Sequence, residues 1–244
     1  MRSIRNFVLE CASVRFAEVA DSDYLIVKEP NGSVSAPLHM EALPESRMIL
    51  LVRDPRDVVA SNMDALDEGG WLAEQHRNAP RPGGGLARRN PDAAVRRRAK
   101  RYMENVGNAK DAYESHKGHK VMIRYEELRA DALSTMKRLY STLDIFIGEE
   151  DLARTVERHA WENIPEEEKG PGKFNRKAAP GSWREDLTPE QAKIIEETTA
   201  PCSRSCTPAE ASPGLAVHRL RLRGLRANGG PLPPRPGTSG GVRS

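Results

Sequence analysis

The sequence predicts an α/β domain, a parallel sheet with flanking helices, followed by an unpacked tail. Three observations carry this. Met48-Ile49-Leu50-Leu51-Val52 is an apolar, β-leaning run without alternation, the pattern of a strand buried on both faces of a parallel sheet. Tyr24–Lys28 and His119–Tyr125 share that character. Between and after these runs, apolar residues recur at helical spacing, so strand and helix alternate.

In chain order, Ile4, Phe7, Val8, Cys11, Val14 and Ala17 share one face of an amphipathic helix over residues 3–20. Tyr24–Lys28 reads as a buried strand with Lys28 at its C-terminal end, closed by the turn-forming Glu29-Pro30-Asn31-Gly32-Ser33. A short helix over Pro37–Leu43 returns the chain to the strand at 48–53, so both strand ends open on one edge of the sheet, where ligands bind in open α/β folds. Asp54 is placed as N-cap, Pro55 as the first helical residue and Asp57 where an acid returns a bond to the cap, which starts a helix over Pro55–Leu66.

Asp67–Pro91, with Gly69-Gly70, Pro80, Pro82 and Gly83-Gly84-Gly85, reads as a lid or a disordered segment. Its triple glycine neither follows a strand nor leads to Gly-Lys-Ser/Thr, which excludes a phosphate-binding loop. A helix from Pro91 to His116 carries a basic face of Arg96-Arg97-Arg98 and Lys100-Arg101, solvated or able to attract an anionic acceptor. After the strand at 119–125, Asp131 caps a helix whose Leu133, Met136, Leu139, Tyr140 and Leu143 belong to the core. A helix over Glu149–Trp161 precedes Glu166–Arg184, which is polar and Gly/Pro-rich and reads as a surface loop. Thr188-Pro189-Glu190-Gln191 is a capping box that opens the last helix, ending at Thr199. The domain organisation is therefore 1–200 for the folded unit and 201–244 for a disordered, basic, Pro/Gly/Ser/Arg-rich tail.

Composition narrows the function classes. The chain has 244 residues, enough for one domain and a tail, and a net charge of +3 gives no argument for nucleic acid or a membrane surface. An RNA-binding module would need stacking aromatics beside its basic residues, and only Tyr102 lies there. Cys11, Cys202 and Cys206 make neither a disulfide framework nor a four-ligand zinc pattern, which fits a reducing, cytoplasmic setting. No apolar stretch suits a membrane span or the core of a signal peptide.

The junction at 53–57 carries the chemistry. A strand that runs straight into a helix N-terminus offers free backbone N–H groups and a positive dipole end, and Arg53 and Arg56 add two guanidiniums. An anion should bind there, unless Arg53 and Asp57 form only a structural pair. The string Arg47–Ser61 resembles the 3′-phosphate-binding segment of sulfotransferases that use 3′-phosphoadenosine 5′-phosphosulfate (PAPS), with Arg53 and Ser61 at the positions that hold the phosphate. Arg124-Tyr125-Glu126-Glu127-Leu128 followed by a helix is similar to the family's segment beside the adenine, with Tyr125 the candidate, though a tyrosine there can also simply close the sheet. Arg176-Lys177-x-x-x-Gly181-x-Trp183-Arg184 resembles the loop that folds over the nucleotide and brings an Arg and a Lys to the 3′-phosphate. Ala178 replaces its first glycine and Ser182 its aspartate, and the Ala178 contact to phosphate survives only with a negative φ.

These matches identify the chain as a PAPS-dependent sulfotransferase, closest in style to bacterial and carbohydrate-type members. The resemblance implies a P-loop-NTPase-like fold, PAPS as donor, no metal, and a small-molecule, lipid or carbohydrate acceptor sulfated on a hydroxyl or amine. Lys28 falls where the family places the lysine that stabilises the bridging oxygen. The family's catalytic His position is Pro30, so Glu29 becomes the candidate base and His39 the second, with a solvated Lys28–Glu29 pair as the alternative. The Gly/Ser/Thr loop that cradles the 5′-phosphosulfate is not found ahead of these segments, and the expectation is a chain truncated at its N-terminus. A protein that binds the nucleotide without transferring sulfate is the alternative function.

Overall fold

The run Met48–Val52 forms a strand (β1) and Lys120–Arg124 a second (β2), paired in parallel with Met48 beside Lys120 and Val52 beside Arg124. The computed structural model describes residues 2–16, 24–28, 32–75 and 90–203, the last three by backbone alone, and β1 and β2 form its one sheet among the described residues. Ala17, Glu29, the 76–89 part of the expected lid and the tail from 204 onward lie outside the described residues.

Among the described residues ten α-helices accompany the two strands. Helix α1 spans Arg2–Arg15, α2 Ala36–Ala42, α3 Pro55–Leu66, α4 Trp71–Gln75 and α5 Pro91–Ser115. After β2 come α6 (Tyr125–Ala130), α7 (Ala132–Thr142), α8 (Glu149–Arg158), the short α9 (Trp183–Asp186) and α10 (Pro189–Ser203). The Asp54 and Asp131 caps act as the sequence implies, accepting from the Arg56 and Ser134 N–H groups, and Asn90 adds a third, accepting from Ala93. Thr188 and Gln191 close a reciprocal capping box, Oγ1 accepting from the Gln191 N–H at 3.2 Å and Oε1 from the Thr188 N–H at 3.1 Å.

Two apolar clusters hold the elements. Val121 and Ile123 of β2 pack on Leu139 and Leu143, with Met136 and Tyr140 at the margin. Val59, Val95, Ala99 and Ile195 join α3, α5 and α10 in the other. Helix α5 is the crossover between the strands. Its last carbonyls, Tyr113 and His116 among them, accept from the Lys120 ammonium at 2.6 and 2.8 Å, and the buried His116 ring lies 2.8 Å from the Ser46 carbonyl. A cation at a helix C-terminus is favourable, so the return into β2 is fixed electrostatically as well as by packing.

Four expectations need correction. β1 is buried on one face only: Met48, Leu50 and Val52 are buried, but Ile49 and Leu51 are 44% and 52% exposed. Register explains it, because Ile49 and Leu51 sit beside Val121 and Ile123, and α7 covers that face over β2 without reaching β1. Tyr24–Lys28 is exposed chain without regular secondary structure rather than a buried strand; the Tyr24 ring rests on the Arg47 guanidinium at 4.9 Å, and among the described residues the segment pairs with no strand. Helix α1 buries none of its residues and meets α2 through Arg5, which donates to the Ala42 carbonyl at 3.4 Å and pairs at 2.5 Å with Glu45, just beyond α2. His39, the second candidate base, is an exposed residue of α2.

Candidate functional site

Where β1 ends, Arg53 is held from two sides. Its carbonyl accepts from the Tyr102 hydroxyl of α5 at 2.8 Å, and its guanidinium lies over the Tyr125 ring, 4.4 Å from the centroid. The Nε is buried with no hydrogen-bond partner. Leaving a buried donor unpaired costs about 1–3 kcal/mol, which an incoming anion would recover. Next to it, the Asp54 N–H donates to Glu126 at 2.8 Å, joining the start of α3 to the start of α6.

Asp57 departs from expectation. It does not bond back to the cap, whose backbone N–H is taken by Glu126, and it does not pair with Arg53. Its carboxylate, 0% exposed, accepts instead from the backbone N–H groups of Gly181 at 2.7 Å and Trp183 at 3.0 Å. Those two amides belong to the loop carrying Arg176 and Lys177. The same loop is tied on its other side, where Arg129 of α6 donates from Nε to the Ala178 carbonyl at 2.9 Å. The Trp183 ring is stacked between Arg56 and Arg184, with centroid distances of 4.2 and 4.5 Å.

These contacts close a ring: Arg53 to Tyr125, α6 to Arg129, Ala178 along the loop to Gly181, then Asp57 and back through α3 to Arg53. Arg53, Tyr125 and the 176–184 loop thus belong to one neighbourhood. Arg176 and Lys177 sit within it already paired. Arg176 lies 2.8 Å from Asp186, and Lys177 lies 2.8 Å from Glu185 and 3.0 Å from Asp186. Burial acts to raise the Asp186 carboxyl, but hydrogen bonds and charge from Arg176 and Lys177 outweigh it and hold the group below its ordinary value. Hydrogen bonds donated to Glu185 and Asp186 push the Lys177 ammonium up.

The remaining expected residues are not gathered in. Ser61 is half-exposed on the second turn of α3 and makes no side-chain hydrogen bond among the described residues. Lys28 is exposed and has no ion pair among the described residues, and Glu29 lies outside them. Ala178 takes a positive φ of 47°, so the condition set for its phosphate contact is not met. No three His, Cys, Asp or Glu side chains are grouped to hold a metal among the described residues. Sequence reasoning missed the Asp57 tether, the Arg129 anchor and the stacked Trp183.

The model of the sulfotransferase domain family matches residues 34–204, well over half of the chain. The chain belongs to the sulfotransferase family. Arg53, Ser61, Tyr125, Arg176 and Lys177 of this sulfotransferase domain all fall inside the matched span, whereas Lys28 and Glu29 precede it. No curated protein and no solved structure matches the chain.

Two outcomes follow from this geometry. Ala178→Gly removes a Cβ from a left-handed position and should stabilise the domain by about 1 kcal/mol, read as a raised urea midpoint. The second concerns acid. Burial works to raise the Asp54 carboxyl, yet the Arg56 side-chain and backbone bonds and the charges of Arg56 and Arg124 hold it, like Asp186, below the ordinary 3.8. A depressed folded pKa gives stability that is present above pH 3.8 and lost as pH falls through the folded value. Urea midpoints should therefore fall steeply below pH 3.8, and less steeply in Asp54→Asn; equal slopes would remove Asp54 from the account.

Proposed function

We propose that the domain transfers a sulfuryl group from PAPS to a hydroxyl or amine of a small-molecule, lipid or carbohydrate acceptor. The observation that carries this reading is the ring of contacts that brings the strand-end Arg53 and the 176–184 loop to one place. Within it, Arg53, Arg176 and Lys177 bind the 3′-phosphate, with Ser61 reaching it from the second turn of α3, and Tyr125 stands beside the adenine. Arginine suits a dianion because it stays charged and presents a planar fork. Arg53 brings a buried donor with no present partner, and Arg176 and Lys177 exchange Asp186 and Glu185 for phosphate oxygens.

PAPS supplies the group that moves: the acceptor oxygen or nitrogen bonds to sulfur as the bridging bond to the 5′-phosphate breaks, its electron pair leaves with the nucleotide, and the acceptor proton passes to a base. Positioning and charge stabilisation dominate such a transfer. In this reading Lys28 stabilises the bridging oxygen and Glu29 receives the proton, and β1 and β2 are part of a P-loop-NTPase-like sheet.

Isothermal titration with adenosine 3′,5′-bisphosphate tests the binding half. Arg53→Ala and Arg176→Ala should each weaken it by about tenfold or more, since each removes a charge-assisted bond. Unchanged affinity in both variants would overturn the reading. Radiolabelled PAPS tests the other half: nucleotide binding without sulfate transfer to any acceptor would make the domain a nucleotide-binding protein instead of an enzyme.

A further inference from the structure

Resting on the proposed function, we infer that the acceptor carries negative charges of its own, and that Arg98, with Arg97 and Arg101 on the same turn of α5, binds them at the mouth of the site. Helix α5 ends where β2 begins, so it runs antiparallel to β2 and its N-terminal half stands on the side of the strand ends. Tyr102, bonded to the Arg53 carbonyl, marks the level at which α5 passes the end of β1. Residues 91–101 therefore project beyond the strand ends on the site side. At 1.5 Å per residue this is roughly 15 Å of helix.

Arg98 is the unexpected member. Residues four before and four after it, Ala94 and Tyr102, face the interior, which places Arg98 in the inward stripe of α5 rather than on its solvent face. Its guanidinium is half-buried and its Nε is buried without a hydrogen-bond partner. Burial first, and then the charge of Arg97, push its pKa below the ordinary value, the signature of a cation held among cations with no counter-ion. Arg97 and Arg101, one turn apart, flank it.

Clustering gives this weight: Arg53 and Arg129 also lack a carboxylate partner, but each stands singly, held by the Tyr125 ring or the Ala178 carbonyl. Arg5, Arg56, Arg124, Arg138, Arg176 and Lys177 each have a carboxylate in ion-pair contact. On α5, Arg96, Arg97, Arg98, Lys100 and Arg101 have none among the described residues. From Pro91 to Tyr102, α5 holds five Lys and Arg and a single acid, Asp92. Among the described residues this charge is concentrated, with no carboxylate in ion-pair contact, on the part of α5 that leads away from the Tyr102–Arg53 contact. Nucleobase stacking is not provided for, because the one aromatic residue in that stretch, Tyr102, has its hydroxyl committed to Arg53. Carboxylates or sulfates spaced along an acceptor chain are the matching chemistry.

The test uses the full chain, an oligosaccharide with a uronic acid at every second sugar, and the carboxyl-reduced neutral form of the same oligosaccharide. Direct binding should favour the acidic form by about tenfold or more and weaken with added salt. Arg97→Glu/Arg101→Glu, at exposed positions, should abolish the preference, and Arg98→Gln, which keeps most of the side-chain length, should reduce it about tenfold. Both variants should bind adenosine 3′,5′-bisphosphate as the parent does. Equal binding of the two oligosaccharides, or a preference untouched by either variant, overturns the inference. Tighter binding of a single-stranded oligonucleotide than of the acidic oligosaccharide overturns it in favour of nucleic acid. Loss of bisphosphate binding in the parent chain counts against the proposed function alone, since the acidic preference is read without nucleotide.

Discussion

A single buried carboxylate decides how the two cationic segments of this domain lie relative to each other. Asp57 sits on the first turn of α3, where the positive end of the helix dipole favours a negative charge. From there it accepts two backbone N–H groups of a loop more than a hundred residues downstream. Charge-assisted bonds of this kind are worth about 1.5–3 kcal/mol each. Removing the acceptor would strand two amides as well as lose the bonds. A carboxylate paired with a guanidinium would have neutralised part of the site, whereas one satisfied by amides leaves the arginines around it available. Asp57 therefore organises positive charge without cancelling it.

The arginines are used in different ways. Arg56 is committed to structure, bonded to Asp54, paired with Glu196 at 2.7 Å and stacked on Trp183. Arg53 rests on Tyr125 with an unused donor. Arg176 and Lys177 are balanced by Asp186 and Glu185, so a loop dense in positive charge can fold without a ligand. A bound phosphate must compete with those carboxylates. This tempers affinity but spares the free protein the self-repulsion of several clustered cations.

Much of this was legible in the sequence because it was local. The β1–α3 junction is fixed by an apolar run followed by Asp-Pro, and the Asp131 and Thr188 caps by side chains acting within three residues. The family was legible through motif resemblance, as the match over residues 34–204 bears out. What failed was long-range. The two-sided burial of β1 was inferred from its apolar run, but Ile49 and Leu51 stay exposed because α7 covers only the neighbouring strand. The Tyr24–Lys28 run has the composition of a strand but pairs with no strand among the described residues. Arg98 reads as one more cation in a solvated basic face, and only the inward stripe of α5 distinguishes it. Ala178 could not disclose its backbone angle, which the Arg129 and Asp57 anchors on either side of it accompany.

The tether from Asp57 to the loop is the claim on which the shared site stands, and amide hydrogen exchange followed by NMR reads it most directly. The Gly181 and Trp183 N–H groups should exchange only with opening of the α3, α5 and α10 core, and in Asp57→Asn they should exchange far faster while amides in α7 keep their protection. Fast exchange of both amides in the parent protein, at rates typical of an unanchored loop, would contradict the account.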